Sequence, residues 1–238
     1  YKGKGQPSWY QFTGNLFQDR LAEIYFLSMD RKDLERVPIR GWLAFLDGKD
    51  ADYPVQALQK DLEHVRSTMK AIEADTTTAD TRLADYLQEL NPAATMALTN
   101  LTTGAYLAGN IWSLHSRFRY FDPVRRRAGL PDDVGALVEK LEADAATLTL
   151  VNVDPVEARN VIVQAGAYGE HRFESAEMGG KTTAVGGPLL TVRLEPGSGA
   201  RIRFRMARYV HPPTLSHPWD RGWFGHNRPG SATQAAAQ

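Results

Sequence analysis

The sequence predicts an α+β protein: a helical N-terminal half, then an antiparallel β-sandwich, then an extended C-terminal tail. Two observations carry this. Up to about Asn110 the apolar residues recur every third or fourth position; after it they recur every second, in short segments bounded by Gly, Pro, Asn or Asp. The expected organisation is a helical region over 1–110, a sandwich with one inserted helix over 111–210, and a tail over 211–238.

The helical half is read as follows. Residues 1–12 are an irregular lead-in. A helix is expected over about 15–29, where Phe17, Leu21, Ile24 and Tyr25 share one face and Asn15 caps the start. Pro38 suits the first turn of a short helix carrying Trp42, Phe45 and Leu46. The strongest signal lies in 54–73. Val55, Leu58, Leu62, Val65, Met69 and Ile72 follow at spacings of 3, 4, 3, 4 and 3, an apolar seam with charges opposite. A sustained coiled coil wants three or four heptads, so a packed helical hairpin is the expectation. A short helix over 82–90 and another started by Asn91-Pro92 come next. They fade into a linker in TNLTTGAYLAGN (99–110).

In the sandwich, IWSLHSRFRYFD alternates. Trp112, Leu114, Phe118 and Tyr120 fall on one face, and His115, Arg117 and Arg119 on the other. Val134, Leu137, Val138 and Leu141 then read as an inserted amphipathic helix with Pro131 in its first turn. Strands are expected at 147–153, 159–165, 171–178, 181–185, 188–195 and 200–210, with EPGSG (195–199) joining the last two as a hairpin. Ile202, Phe204 and Met206 should point inward, and Arg201, Arg203 and Arg205 outward. The proline-rich, aromatic tail cannot enter a sheet interior; it should lie over another surface, with 231–238 frayed.

Composition excludes several function classes. Twenty-eight basic residues balance 28 acidic ones, so no global field draws nucleic acid. No apolar run approaches the ~18–20 residues of a membrane span. Without cysteine there are no disulfides, thiolate nucleophiles or thiolate metal sites. No phosphate-binding, dinucleotide, zinc-hydrolase or nucleophile-elbow motif is present, so no cofactor is expected. The chain begins at Tyr1 rather than Met, which predicts a processed product or a piece of something longer, with export slightly favoured.

The segments RFRYFDPVRRRAGLP, TLTLVNVDPVEARNVIVQAGAYGEHRF and RYVHPPTLSHPWDRG resemble the C-terminal part of largely uncharacterised bacterial proteins in which a helical toroid precedes a β-sandwich. The order of the layers, with its V-x-L-x-P-G-x-G turn, is similar to polysaccharide lyases and glycoside hydrolases. The resemblance implies a carbohydrate-active context, a glycan ligand, and further helices upstream or on another chain. It transfers no catalytic residue.

Four sets of residues are candidates for chemistry. Arg117 and Arg119, with His115, form a stripe suited to binding carboxylate or sulfate; Arg201, Arg203 and Arg205 are a second such stripe. The structural alternative is an exposed face cross-paired with Glu170, Glu174, Glu177 and Glu195. No catalytic residue is identified, but Glu170 and His171, beside Gly166 and Gly169, together with His115, are the candidates for acid–base work, although neighbours on a strand diverge unless a turn brings them together. His211, His217 and His226 with Asp220 match no metal-site spacing, so no metal is expected. Trp219 and Trp223 are candidate sugar-stacking residues. The leading functional expectation is the C-terminal half or a subunit of a glycan lyase or hydrolase. The alternative is a non-catalytic assembly domain docking its 54–73 seam and tail onto a partner chain.

Overall fold

A computed structural model describes residues 17–82, 90–106 and 115–220 and the backbone of 234–236. Among the described residues four helices come first: α1 (Gln18–Ser28), α2 (Trp42–Leu46), α3 (Tyr53–Ala74) and α4 (Met96–Thr103), with a 3-10 turn at Arg31–Leu34. Ten strands follow: β1 (Phe118–Asp122), β2 (Arg127–Ala128), β3 (Val134–Leu141), β4 (Ala145–Asn152), β5 (Arg159–Ala165), β6 (Arg172–Met178), β7 (Lys181–Gly187), β8 (Leu189–Leu194), β9 (Gly199–Ala207) and β10 (Gln234–Ala236). The α+β layout is therefore as the sequence predicts.

The strands form two five-stranded sheets, ordered β10-β8-β5-β1-β2 and β3-β4-β9-β6-β7. Every pairing is antiparallel except β10 with β8. Alternation works as expected in β9: Ile202, Phe204 and Met206 are buried, and the arginines between them face outward. Phe204 meets Phe173 at 4.4 Å and Phe118 at 5.3 Å between ring centres, an aromatic knot between the sheets. One continuous buried cluster runs from there through Val138 and Leu101 to Phe26, Leu34 and Trp42 of the helical layer.

Five expectations are corrected. Residues 134–141 are strand β3, not an inserted helix. Its register against β4 shifts between Val138 and Lys140, so Glu139 is an extra residue. That bulge returns Leu141 to the inner face beside Val138, which imitates a helical spacing. EPGSG does turn the chain (Ser198 N–H to Glu195 O, 3.2 Å), but β8 and β9 belong to different sheets, so it is a crossover rather than a hairpin. The expected linker begins as helix: α4 runs to Thr103, burying Asn100 and Leu101, and Gly104 ends it at φ +68°. Its start is Met96; Asn91 instead makes a local turn, Oδ1 accepting from Ala93 N–H at 3.0 Å. In the tail, 234–236 add an edge strand instead of fraying.

Helix α3 forms as expected, yet its seam is not packed as a hairpin. Val55, Leu58, Leu62, Met69 and Ile72 keep between 38% and 60% of their surface exposed. The face turned to the body is small and polar, with Ala57 and Asp61 half-buried and Thr68 buried. The expected cap Asn15, the helix over 82–90 apart from its ends, and Trp112, Leu114 and Trp223 lie outside the described residues.

Candidate functional site

The helical layer contains an open cleft of about 560 Å³. Its walls come from the start of α1, the segment preceding α2, the first half of α3, α4 and Tyr106. Pro54 in the first turn of α3 starts that helix without costing a hydrogen bond. The 60, 61, 64 spacing then sets Lys60, Asp61 and His64 along the cleft wall. Opposite stand Asp19 and Arg40. Trp42 closes the floor, its indole N–H donating to Ala105 O at 2.9 Å and its ring stacked on Phe45.

The cleft mixes charges of both signs with hydrogen-bonding aromatics. Tyr106 stacks on Phe26 at 4.9 Å and its hydroxyl lies 3.5 Å from Asp19 Oδ1. Burial and the nearby Asp19 push the Tyr106 phenol up to about 12, so it remains a proton donor at neutral pH. The Tyr53 phenol is also raised, by burial first and then by Asp61 and Asp50. His64 Nε2 lies 3.3 Å from Asn91 O. Asp61 Oδ2 is shielded from solvent and has no hydrogen-bond partner among the described residues. Trp42 and Phe45 apart, none of these residues was singled out from the sequence. The available signal was the polar side of α3, which is masked by the stronger apolar seam opposite.

The sequence-derived candidates converge elsewhere, at the joint between α1 and the sandwich. Glu170 and His171 do come together, because they precede β6 in an irregular turn: Glu170 Oε1 lies 3.8 Å from His171 Nε2. Glu170 also accepts from Tyr168 N–H at 2.7 Å. Gly166 makes room at φ +86°, where a Cβ would collide with the Glu170 carboxyl group. His171 is 1% exposed, and its Nδ1 accepts from Tyr209 N–H at 3.0 Å. Burial, reinforced by Arg117 and Arg208, lowers the imidazole to about 3. It is neutral at physiological pH and shielded from solvent. His115 lies 3.7 Å from Glu23 of α1, and burial lowers its pKa as well.

Arg117 and Arg119 do not form an exposed ligand stripe. Arg117 is 1% exposed and donates to Phe26 O at 3.2 Å, with no acceptor for Nε among the described residues. Desolvation, then the charge of Arg208, lowers it to about 10, so it stays protonated at neutral pH. Arg208 donates to Leu27 O (2.7 Å), Ser28 O (3.1 Å) and Ala143 O (2.9 Å). The two guanidinium groups thus satisfy three successive carbonyls at the C-terminus of α1, where orphan acceptors and the helix dipole favour cations. Arg119 donates to Ala167 O at 3.3 Å and lies over the Phe121 ring.

The second arginine stripe is neutralised, by partners other than those expected. Arg201 pairs with Glu139 (2.6 Å), Arg203 with Glu142 (3.1 Å) and Arg205 with Asp144 (2.7 Å). Trp219 is no free platform: it stacks on His217 at 5.1 Å, meets Phe121 edge-on at 5.9 Å and has Arg126 at 5.8 Å. The described start of the tail, up to Asp220, thus lies over the sheet, although Leu215 stays exposed. Among the described residues no group of three or more His, Asp or Glu could hold a metal, and no helix is long and apolar enough to cross a membrane.

A family model described as a domain of unknown function (DUF8034) matches residues 27–99. The match spans α2, α3 and most of the cleft wall. It leaves out Asp19, Tyr106 and the whole sandwich. No curated protein and no solved structure matches the chain.

Proposed function

We propose that the chain is part of a carbohydrate-active protein and that the helical cleft holds an acidic saccharide, with the sandwich as its support. One observation carries this reading: Arg40 and Lys60 share an open cleft of about 560 Å³ with Tyr53, Tyr106 and His64. Cations suit a uronate carboxylate, tyrosine faces and hydroxyls suit a polyhydroxylated ring, and the volume is in the range of small-ligand sites. Tyr106, held protonated, is a hydrogen-bond donor beside Asp19.

Titrating the protein with an oligouronate and a matched neutral oligosaccharide, followed by calorimetry, tests this. The oligouronate binds, and Arg40→Ala and Lys60→Ala each weaken it by about tenfold, the loss of one charge-assisted hydrogen bond. Conversion of the oligouronate to an unsaturated product, read by ultraviolet absorbance, would identify a lyase. Absence of binding to both ligands at millimolar concentration would sink the reading.

A second reading, a non-catalytic assembly unit that docks onto another chain, is favoured by a separate observation: the apolar seam of α3 is open to solvent.

A further inference from the structure

Tyr53, Ala57, Asp61 and His64 follow one another on α3 at spacings of 4, 4 and 3, so one helix face presents all four to the cleft. Tyr53 is fixed at the start of this face. Gly41 has φ +54°, and a Cβ there would come within 3.2 Å of the Tyr53 ring, so glycine lets the ring lie close against the backbone. Ala57 is small and leaves room between Tyr53 and Asp61. Asp61 itself is half-buried in the wall of an open cleft, within reach of a bound molecule. Its Oδ2 is shielded from solvent, and among the described residues nothing donates to it. Lys60 does not serve it, because consecutive residues on a helix point apart. Other aspartates are served: Asp47 by Arg31 at 2.8 Å, Asp144 by Arg205 at 2.7 Å, and Asp19 by the Tyr106 hydroxyl at 3.5 Å. A desolvated carboxylate oxygen without a donor costs stability, and a donor supplied by a ligand removes that cost.

We propose that Asp61 is a specificity-determining residue of the cleft: it accepts a hydrogen bond from a free hydroxyl of the bound saccharide, so the site selects unsubstituted acidic saccharides over their O-acetylated forms. This rests on the acidic-saccharide reading and deepens it. Arg40 and Lys60 answer the carboxylate of the ligand, and Asp61 answers its hydroxyls. A hydroxyl both donates and accepts, whereas an acetyl ester only accepts and would set lone pairs against the Asp61 carboxylate. A site built to bond a hydroxyl rejects the analogue that lacks it, because its own polar group is then left unpaired. An ammonium donor would share the cleft with two cations, so a neutral hydroxyl is the donor that fits.

Calorimetry with an oligouronate and its O-acetylated form, equal in length and with free carboxylates, tests this. The wild-type chain should prefer the unsubstituted form by at least about tenfold, the worth of a hydrogen bond to a charged group. Asp61→Ala should shrink that preference at least about fivefold, whereas Lys60→Ala should weaken both ligands alike and leave the preference intact. A second measurement needs no ligand. Asp61→Ala removes no bond within the protein and adds a better helix former, so its thermal midpoint should equal or exceed that of the wild type. Equal binding of the two forms, or an undiminished preference in Asp61→Ala, overturns the role of Asp61 and leaves the acidic-saccharide reading standing. A fall of more than about 5 °C in Asp61→Ala does the same, since it would reveal a partner within the protein. Absence of binding to either form overturns both.

Discussion

His171 makes the fold sensitive to acid in a defined window. Its imidazole is buried between Arg117 and Arg208, accepts from Tyr209 N–H through Nδ1, and titrates near 3. An unfolded chain binds a proton on histidine near pH 6.5. Above that pH both states carry neutral imidazole and the residue is indifferent to pH. As the pH falls from 6.5 towards 3, the unfolded state gains a proton that the native state refuses, and stability is lost. At pH 4.5, two units below the unfolded value, the loss is about 2.7 kcal/mol. Urea denaturation by tryptophan fluorescence at pH 7.5 and 4.5 measures it. His171→Asn keeps an acceptor near Nδ1 and cannot titrate. The stability difference between the two pH values should shrink by about 2–3 kcal/mol in this variant. Asp47, held low by its hydrogen bond to Arg31, and the other depressed carboxylates contribute equally to both proteins and cancel. If wild type and His171→Asn lose the same stability within about 0.5 kcal/mol, the buried neutral imidazole is wrong.

Other residues of the joint and the sheet give sharp contrasts. Arg208→Ala removes three hydrogen bonds to carbonyls from a half-buried cation and should cost about 2–3 kcal/mol, a fall of roughly 5–10 °C in a thermal melt. Arg117→Met keeps the stem and removes a desolvated charge with one orphan donor, so it should lie within about 1 kcal/mol of wild type in the same melt. Gly166→Ala should cost at least about 2 kcal/mol by urea denaturation, because strain and the clash with Glu170 add, whereas Gly179→Ala at φ +56° in open space should cost about 1 kcal/mol. Arg203→Ala should change stability by less than about 1 kcal/mol, because its pair with Glu142 is partly exposed and screened.

Much of this architecture is legible in the sequence where one physical signal acts alone. β5 is Arg159–Ala165, as alternation places it, because turn residues bound it on both sides. The failures occur where two patterns coincide. The bulge at Glu139 gives β3 the periodicity of a helix. EPGSG has hairpin chemistry, and local sequence carries no information about which sheet receives the next strand. Arg117 alternates like an outward residue of β1, yet it lies just before the strand, and the helix end packed above it draws it inward. The cleft was invisible for a related reason. Its residues come from four separate segments, and local sequence carries no information about which segments meet.

The joint and the cleft are mechanically connected through α1. Its C-terminal carbonyls are gripped by Arg117 and Arg208, which flank β1 and β9, and its first turn presents Asp19 to the cleft. A helix of 11 residues is too short to hold its shape alone in water. Its position is therefore set by what it packs against: Phe26 against Tyr106, and its C-terminal end against the two arginines. The sandwich thus helps fix where Asp19 meets the Tyr106 hydroxyl. Loosening the clamp by Arg208→Ala should disturb the cleft from its far end although Arg208 does not line it. The neutral, buried histidine beneath the clamp belongs to the same arrangement. Protonating it would bury a new charge and set it beside Arg117 and Arg208, so acid acts on the fold at the joint that holds α1 in place.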